Sequence, residues 1–158
     1  MKHKFKYILP LVAVLFTACN NNQKIEDTKK QGELVFQQGE KITNANFTGT
    51  AYLQSLISAD SLNSISVGNV TFEPGARSKW HSHPAGQILL VIDGVGYYQE
   101  KGKAKQILRM GDAIKCPPNT PHWHGASTDS AFVQVAITGR EKGETVWLEA
   151  VSDDEYAR

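Results

Sequence analysis

Residues 70–87 read VTFEPGARSKWHSHPAGQ, and this stretch decides the fold. A segment rich in Val, Thr and Phe closes on Pro74-Gly75. A second short segment then ends in His81-Ser82-His83, and Gln87 follows after three intervening residues. In a β-strand, residues i and i+2 point to the same face, so the two imidazoles can be aimed at one place. Imidazole is the commonest protein ligand for transition metals. The pattern returns in His122-Trp123-His124. The remaining histidine of the five is His3, near the start of the chain. A metal site borne on strands is therefore the first expectation. The alternative is that the histidines are satisfied polar residues lining a barrel.

Working outward, segments of four to eight residues rich in Val, Ile, Phe, Thr and Tyr alternate with Gly, Pro, Asn and Asp. This patterning predicts strands over Leu34–Gln37, Thr48–Ile57, Ser64–Glu73, Ser78–His83, Gln87–Asp93, Gly96–Lys101, Lys105–Leu108, Asp112–Cys116, His122–Gly125, Ala131–Thr138 and Thr145–Glu149. Turn signals fall at Pro74-Gly75, Asp93-Gly94, Lys101-Gly102, Met110-Gly111-Asp112 and Pro117-Pro118-Asn119. The acidic end Asp153–Tyr156 suits a short helix. Many short strands at regular spacing point to an all-β barrel or sandwich. No internal repeat and no second globular domain is visible.

The start of the chain has a different texture. Lys2, Lys4 and Lys6 precede the apolar run Tyr7–Phe16, which is well short of the roughly 20 residues a membrane-spanning helix needs. The ending Leu15-Phe16-Thr17-Ala18-Cys19 resembles a bacterial lipobox, in which the cysteine is lipidated. The expected organisation is a signal peptide over 1–18, a flexible tether over 19–32 and a β-barrel domain over 33–156. It places the protein in the cell envelope, lipid-anchored through Cys19 and facing the periplasm. Removing the leader takes away three lysines and no acid, so the net charge moves from +1 to −2. No basic block remains, which argues against a nucleic-acid partner. With Cys19 lipidated, Cys116 has no partner for an intrachain disulfide, and a buried, inert thiol is expected.

The spacings carry a family resemblance. Gly75, five residues, His81, one residue, His83, three residues, Gln87, six residues and Gly94 are followed by Gly111, five residues, Pro117 and then His122. This is similar to the two motifs of the cupin superfamily, small β-barrels of the jelly-roll kind. The chain departs from the pattern in three places. Gln87 stands where a glutamate is usual, Asn119 where a turn glycine is usual, and Ala126 where an asparagine closes the second motif. Asparagine tolerates the left-handed conformation, so the second change is mild. The stretches NFTGTAYLQ (46–54), VGYYQEKGK (95–103), PHWHGAS (121–127) and VWLEAVSDDEY (146–156), with residues 70–87, resemble one subgroup. These are single-domain, manganese-dependent cupins related to bacterial (R)-mandelonitrile/hydroxynitrile lyases.

That resemblance implies metal ligation by His81, His83, Gln87 and His122. Manganese is the first expectation, and iron, nickel, cobalt or zinc suit the same nitrogen and oxygen donors. Gln87 has a second reading as a hydrogen-bonding amide of the barrel. His124 shares a face with His122 but lies about 6.6–6.8 Å along the strand, too far for automatic ligation. A general base, a substrate clamp and a structural residue at the barrel mouth all remain open for it. Trp80 and Trp123 alternate with the histidines and are expected in core packing or a subunit contact. In the strand Ala131–Thr138 the lyases carry a histidine base, and the aligned residue here is Gln134. An amide takes no proton near neutral pH. The implied function is a metal-dependent cupin that binds a small oxygenated organic molecule, as a lyase of the hydroxynitrile type if Gln134 and His124 permit. Dioxygenase chemistry and non-catalytic binding by a lipoprotein are the alternatives. A homo-oligomer is expected.

Overall fold

The computed structural model describes residues 34–158. The expected leader and tether, with Cys19, lie outside the described residues. The chain forms β1 (Glu40–Lys41), β2 (Phe47–Thr48), β3 (Ala51–Ile57), β4 (Ile65–Phe72), β5 (Arg77–Ser78), β6 (His81–Ser82) and β7 (Gln87–Glu100). Then come β8 (Gln106–Arg109), β9 (Ala113–Cys116), β10 (His122–Ala126), β11 (Phe132–Gly139), β12 (Val146–Trp147) and α1 (Asp153–Ala157). All described strand pairings are antiparallel. They make a strongly curled, all-β half-barrel, consistent with a jelly roll.

The curl comes from one strand. β7 is 14 residues long. Its first half pairs with β11 and β9, and its second half with β10 and β8. Asp93-Gly94 was expected to be a turn between two strands. Instead the strand runs through it, with a register shift opposite Val133/Gln134. Gly94 has φ 74°, and a Cβ on it would lie 1.9 Å from the Ala131 carbonyl oxygen. The shift leaves Ile92 without a partner on β11, while the glycine permits a positive φ and a close approach of backbone two residues on, so the strand bends without ending.

Other boundaries also differ from the sequence reading. Leu34–Gln37 is not a strand. The Gln37 carbonyl accepts from the Asn69 side chain at 3.1 Å, which replaces a ladder bond. The segment expected over Thr48–Ile57 breaks at Gly49 (φ 79°), so β2 joins β5 while β3 joins β4. Ser78–His83 breaks at Lys79-Trp80, because Trp80 exchanges backbone bonds with Leu148 and Glu149 instead. The Asn119 backbone is left-handed, φ 56°, as its place in the turn requires.

Period-2 alternation sorts the side chains. Along β10, His122, His124 and Ala126 share one face and Trp123 the other. The interior holds Phe72, Leu89, Val91, Tyr98, Leu108 and Phe132. Trp123 and Trp80 pack with Val151 and Tyr156 in a second cluster, so both serve core packing. The C-terminal segment that covers them is pinned at several points. Ser152 and Glu155 form a capping box on α1. Arg77 donates to the Val151 carbonyl and to Asp153, and Tyr156 Oη donates to the Ala126 carbonyl at 2.8 Å. Truncating a fully buried aromatic such as Trp123 costs about 3–5 kcal/mol. The outer cluster thus holds β10, and with it His122 and His124, in place.

Candidate metal centre and cavity

Strand register builds the centre. His81 on β6 pairs directly with His122 on β10, which brings the two rings to 4.4 Å between centroids. His83 opens a turn in which the Gly86 N–H donates to the His83 carbonyl at 3.0 Å. The Asn119 N–H donates to the same carbonyl at 2.9 Å. The turn delivers the chain to Gln87, the first residue of β7. One ring nitrogen from each of His81, His83 and His122 lies within 4.8 Å of the others.

The hydrogen bonds orient these rings. His81 Nδ1 donates to the Lys79 carbonyl at 2.9 Å, and His122 Nδ1 to the Thr120 carbonyl at 2.8 Å. A carbonyl only accepts, so in both neutral rings the proton is on Nδ1 and Nε2 keeps a free lone pair. His83 Nδ1 lies 3.1 Å from Thr145 Oγ1, a hydroxyl that also accepts from Arg140. Nε2 of His83 and of His122 is buried with no partner. A buried polar nitrogen without a partner costs roughly 1–3 kcal/mol unless something satisfies it.

Electrostatics agree. Burial pushes His81 well below the usual histidine range, with the neighbouring His122 and His83 adding to the effect. Burial lowers His83 to about 3, with His122 and Arg140 contributing, and it lowers His122 as well. All three are neutral at pH 7, the state in which imidazole ligates. Three neutral nitrogens with their outer edges tied off fit a divalent metal.

Gln87 stands beside them. Its Nε2 donates to Thr138 Oγ1 at 3.0 Å, which commits the amide nitrogen, while Oε1 accepts only a long contact from the Cys116 thiol. Cys116 Sγ, 4.0 Å from that oxygen, is a buried thiol pushed up to about 12, chiefly by burial. It matches the inert cysteine expected.

A cavity of about 440 Å³ opens beside the cluster. Phe47, Leu53, Ile57, Val70, Ala136 and Trp147 give it apolar walls. His81, His83, Gln87, His124 and Arg140 supply its polar groups. His124 lies 5.2 Å from His81 and 6.0 Å from His122, centroid to centroid, and is outside the three-nitrogen cluster. Gln134 is fully buried behind His124, not on the cavity wall, and its Nε2 lies 2.9 Å from His124 Nδ1.

Three polar contributors were not anticipated from the sequence. Thr138 could have been found, because it continues the inward face of Phe132, Gln134 and Ala136. Arg140 and Thr145 come from the irregular connection after β11, where no periodicity marks a side chain's direction.

The comparisons with known proteins fit this geometry. A family model described as a cupin domain matches residues 68–138. An (R)-mandelonitrile lyase from Granulicella tundricola is 42% identical over 113 residues, covering 71% of this chain and 86% of that protein. The chain belongs to the cupin superfamily. A cupin-like protein from Thermotoga maritima is also 42% identical, covers 78% of this chain and 95% of its own, and superposes with a TM-score of 0.77. A cupin-2 domain protein from Rhodospirillum rubrum, 19% identical, covers 72% of each chain at a TM-score of 0.57 and shares the fold. The residues matched by the family model include the three clustered histidines, Gln87 and the His124–Gln134 pair of this cupin.

Proposed function

We propose that this cupin holds one divalent metal, manganese by preference, through His81, His83 and His122, with Gln87 Oε1 as a fourth ligand. In that cavity it binds a small oxygen-bearing organic molecule. The observation that carries the reading is the buried histidine trio. Its outer nitrogens are tied off, and two of its Nε2 atoms are left without a partner. When bound, such an ion supplies Lewis acidity toward a hydroxyl or carbonyl oxygen. The chain's own residues do the rest. Leu53, Ile57, Val70 and Trp147 take the hydrocarbon part of the molecule, and His124 and Arg140 orient its polar end.

The 42% identity to an (R)-mandelonitrile lyase makes cleavage of a cyanohydrin to an aldehyde and hydrogen cyanide the reaction to test first. It requires a group that takes the hydroxyl proton. General-base help of this kind is worth about 10²–10⁴-fold. Gln134 cannot provide it, so slow turnover is expected. The assay is benzaldehyde release from mandelonitrile by manganese-loaded protein, corrected for the spontaneous reaction. A rate above background supports the lyase reading. Ligand-induced stabilisation without release favours binding alone, a reading that the amide at position 134 supports. Oxygen uptake with electron-rich phenols would turn the assignment to a dioxygenase.

We also propose lipid anchoring through Cys19 in the cell envelope, with the domain facing the periplasm, from the apolar run ending in Thr17-Ala18-Cys19. Cys19→Ser should move the protein from the membrane fraction to the soluble one. A native protein already soluble with an unmodified Cys19 would refute it.

A further inference from the structure

Two fully or nearly fully buried side chains, one on the cavity wall and one behind it, are not accounted for by metal ligation. His124 is 5% exposed and Gln134 is 0% exposed. They meet through Gln134 Nε2 and His124 Nδ1 at 2.9 Å. An amide nitrogen only donates, so His124 Nδ1 is the acceptor and carries no proton. A neutral imidazole has one N–H, and it must then be on Nε2. This is the reverse of His81 and His122, whose Nδ1 donates to a backbone carbonyl. The two nitrogens of an imidazole face away from each other, so His124 Nε2 faces away from Gln134. That nitrogen is buried and has no partner in the protein, although His124 lines the cavity. The ring is otherwise held: Phe72 packs edge-on at 5.7 Å, and the His124 backbone N–H donates to Ser78 Oγ.

We propose that Gln134 is a positioning residue that fixes His124 in the tautomer with its proton on Nε2, so that His124 offers the cavity a hydrogen-bond donor rather than a base. A donor there recognises the acceptor end of a bound molecule, such as a carbonyl or alkoxide oxygen. The inference deepens the small-molecule reading above and rests on it for its purpose, but the tautomer itself does not depend on that reading. It would also account for the slow lyase turnover expected above, because the His124 lone pair is turned to the wall and not to the cavity.

The test is nitrogen NMR of the full chain labelled at its histidines, at a pH where the rings are neutral, with and without zinc as a diamagnetic ion. His124 is assigned by its absence in His124→Gln. The expected wild-type pattern is a pyridine-type Nδ1 and a pyrrole-type Nε2 at His124, unmoved to the metal-bound position by zinc. Gln134→Glu should reverse the two, since a carboxylate accepts from Nδ1–H. A protonated Nδ1 in the wild type would overturn the proposal, whatever the variant does. So would a zinc-bound Nε2 at His124, or a Gln134→Glu protein with the wild-type pattern. Failure of the metal reading shows elsewhere, as rings of His81, His83 and His122 that do not respond to zinc.

Discussion

Gln87 and Thr138 face each other in register across β7 and β11, and the glutamine amide donates to the threonine hydroxyl at 3.0 Å. That bond commits the amide nitrogen and leaves the oxygen, with only a long contact from the Cys116 thiol, as the end able to ligate. A ligand's outer partner typically governs 10–100-fold in metal affinity. Thr138→Val keeps the shape and removes the acceptor. It should weaken metal binding by about 10-fold or more within that range. Metal titration of the purified variant checks this, and an unchanged affinity would speak against Gln87 as a ligand.

Gln87→Glu makes the opposite test. A carboxylate is an equally good oxygen donor to a divalent ion, so the metal should stay. The added negative charge should reduce the pull on a substrate oxygen, and any lyase activity should fall. A fully metallated variant with undiminished activity would remove Gln87 from the centre.

The metal-free protein should lose stability in mild acid. In the folded state burial holds His81 and His124 well below the histidine value of 6.5, His122 below it, and His83 at about 3. Above pH 6.5 both folded and unfolded states are neutral and stability is fully present. As pH falls below 6.5 the unfolded chain takes up protons that the folded chain refuses. Each such histidine then lowers stability by about 1.4 kcal/mol per pH unit until its folded value is reached. Thermal melts of metal-free protein between pH 7.5 and 5 should show a falling midpoint. A flat profile would mean that the rings protonate in the folded state.

Much of this was readable from the residues, for a physical reason. Strands with one face inward alternate polar and apolar, so β4, β8, β9, β10 and β11 stand within a residue or two of their expected places. The i, i+2 spacing likewise announced the paired histidines, although His83 reaches the cluster from a turn and not from a strand. Asp93-Gly94 misled because glycine at positive φ serves bulges as well as turns, and only the neighbouring strand distinguishes them. Leu34–Gln37 misled because apolar composition does not say where backbone bonds go. The contact between Gln134 and His124 needed the fold, since it joins two strands that are partners not of each other but of β7.

Elemental analysis of the purified protein, beside His81→Ala and His122→Ala, tests the central claim most directly. The cluster supplies one set of ligands, so the wild type should carry about one divalent ion per chain. Each variant should lose it, and should also lose the stabilisation that metal gives the wild type, about 4 kcal/mol at a thousandfold excess over the dissociation constant. Circular dichroism shows whether the variants keep their β-structure. Stoichiometric metal in both folded variants would contradict the account.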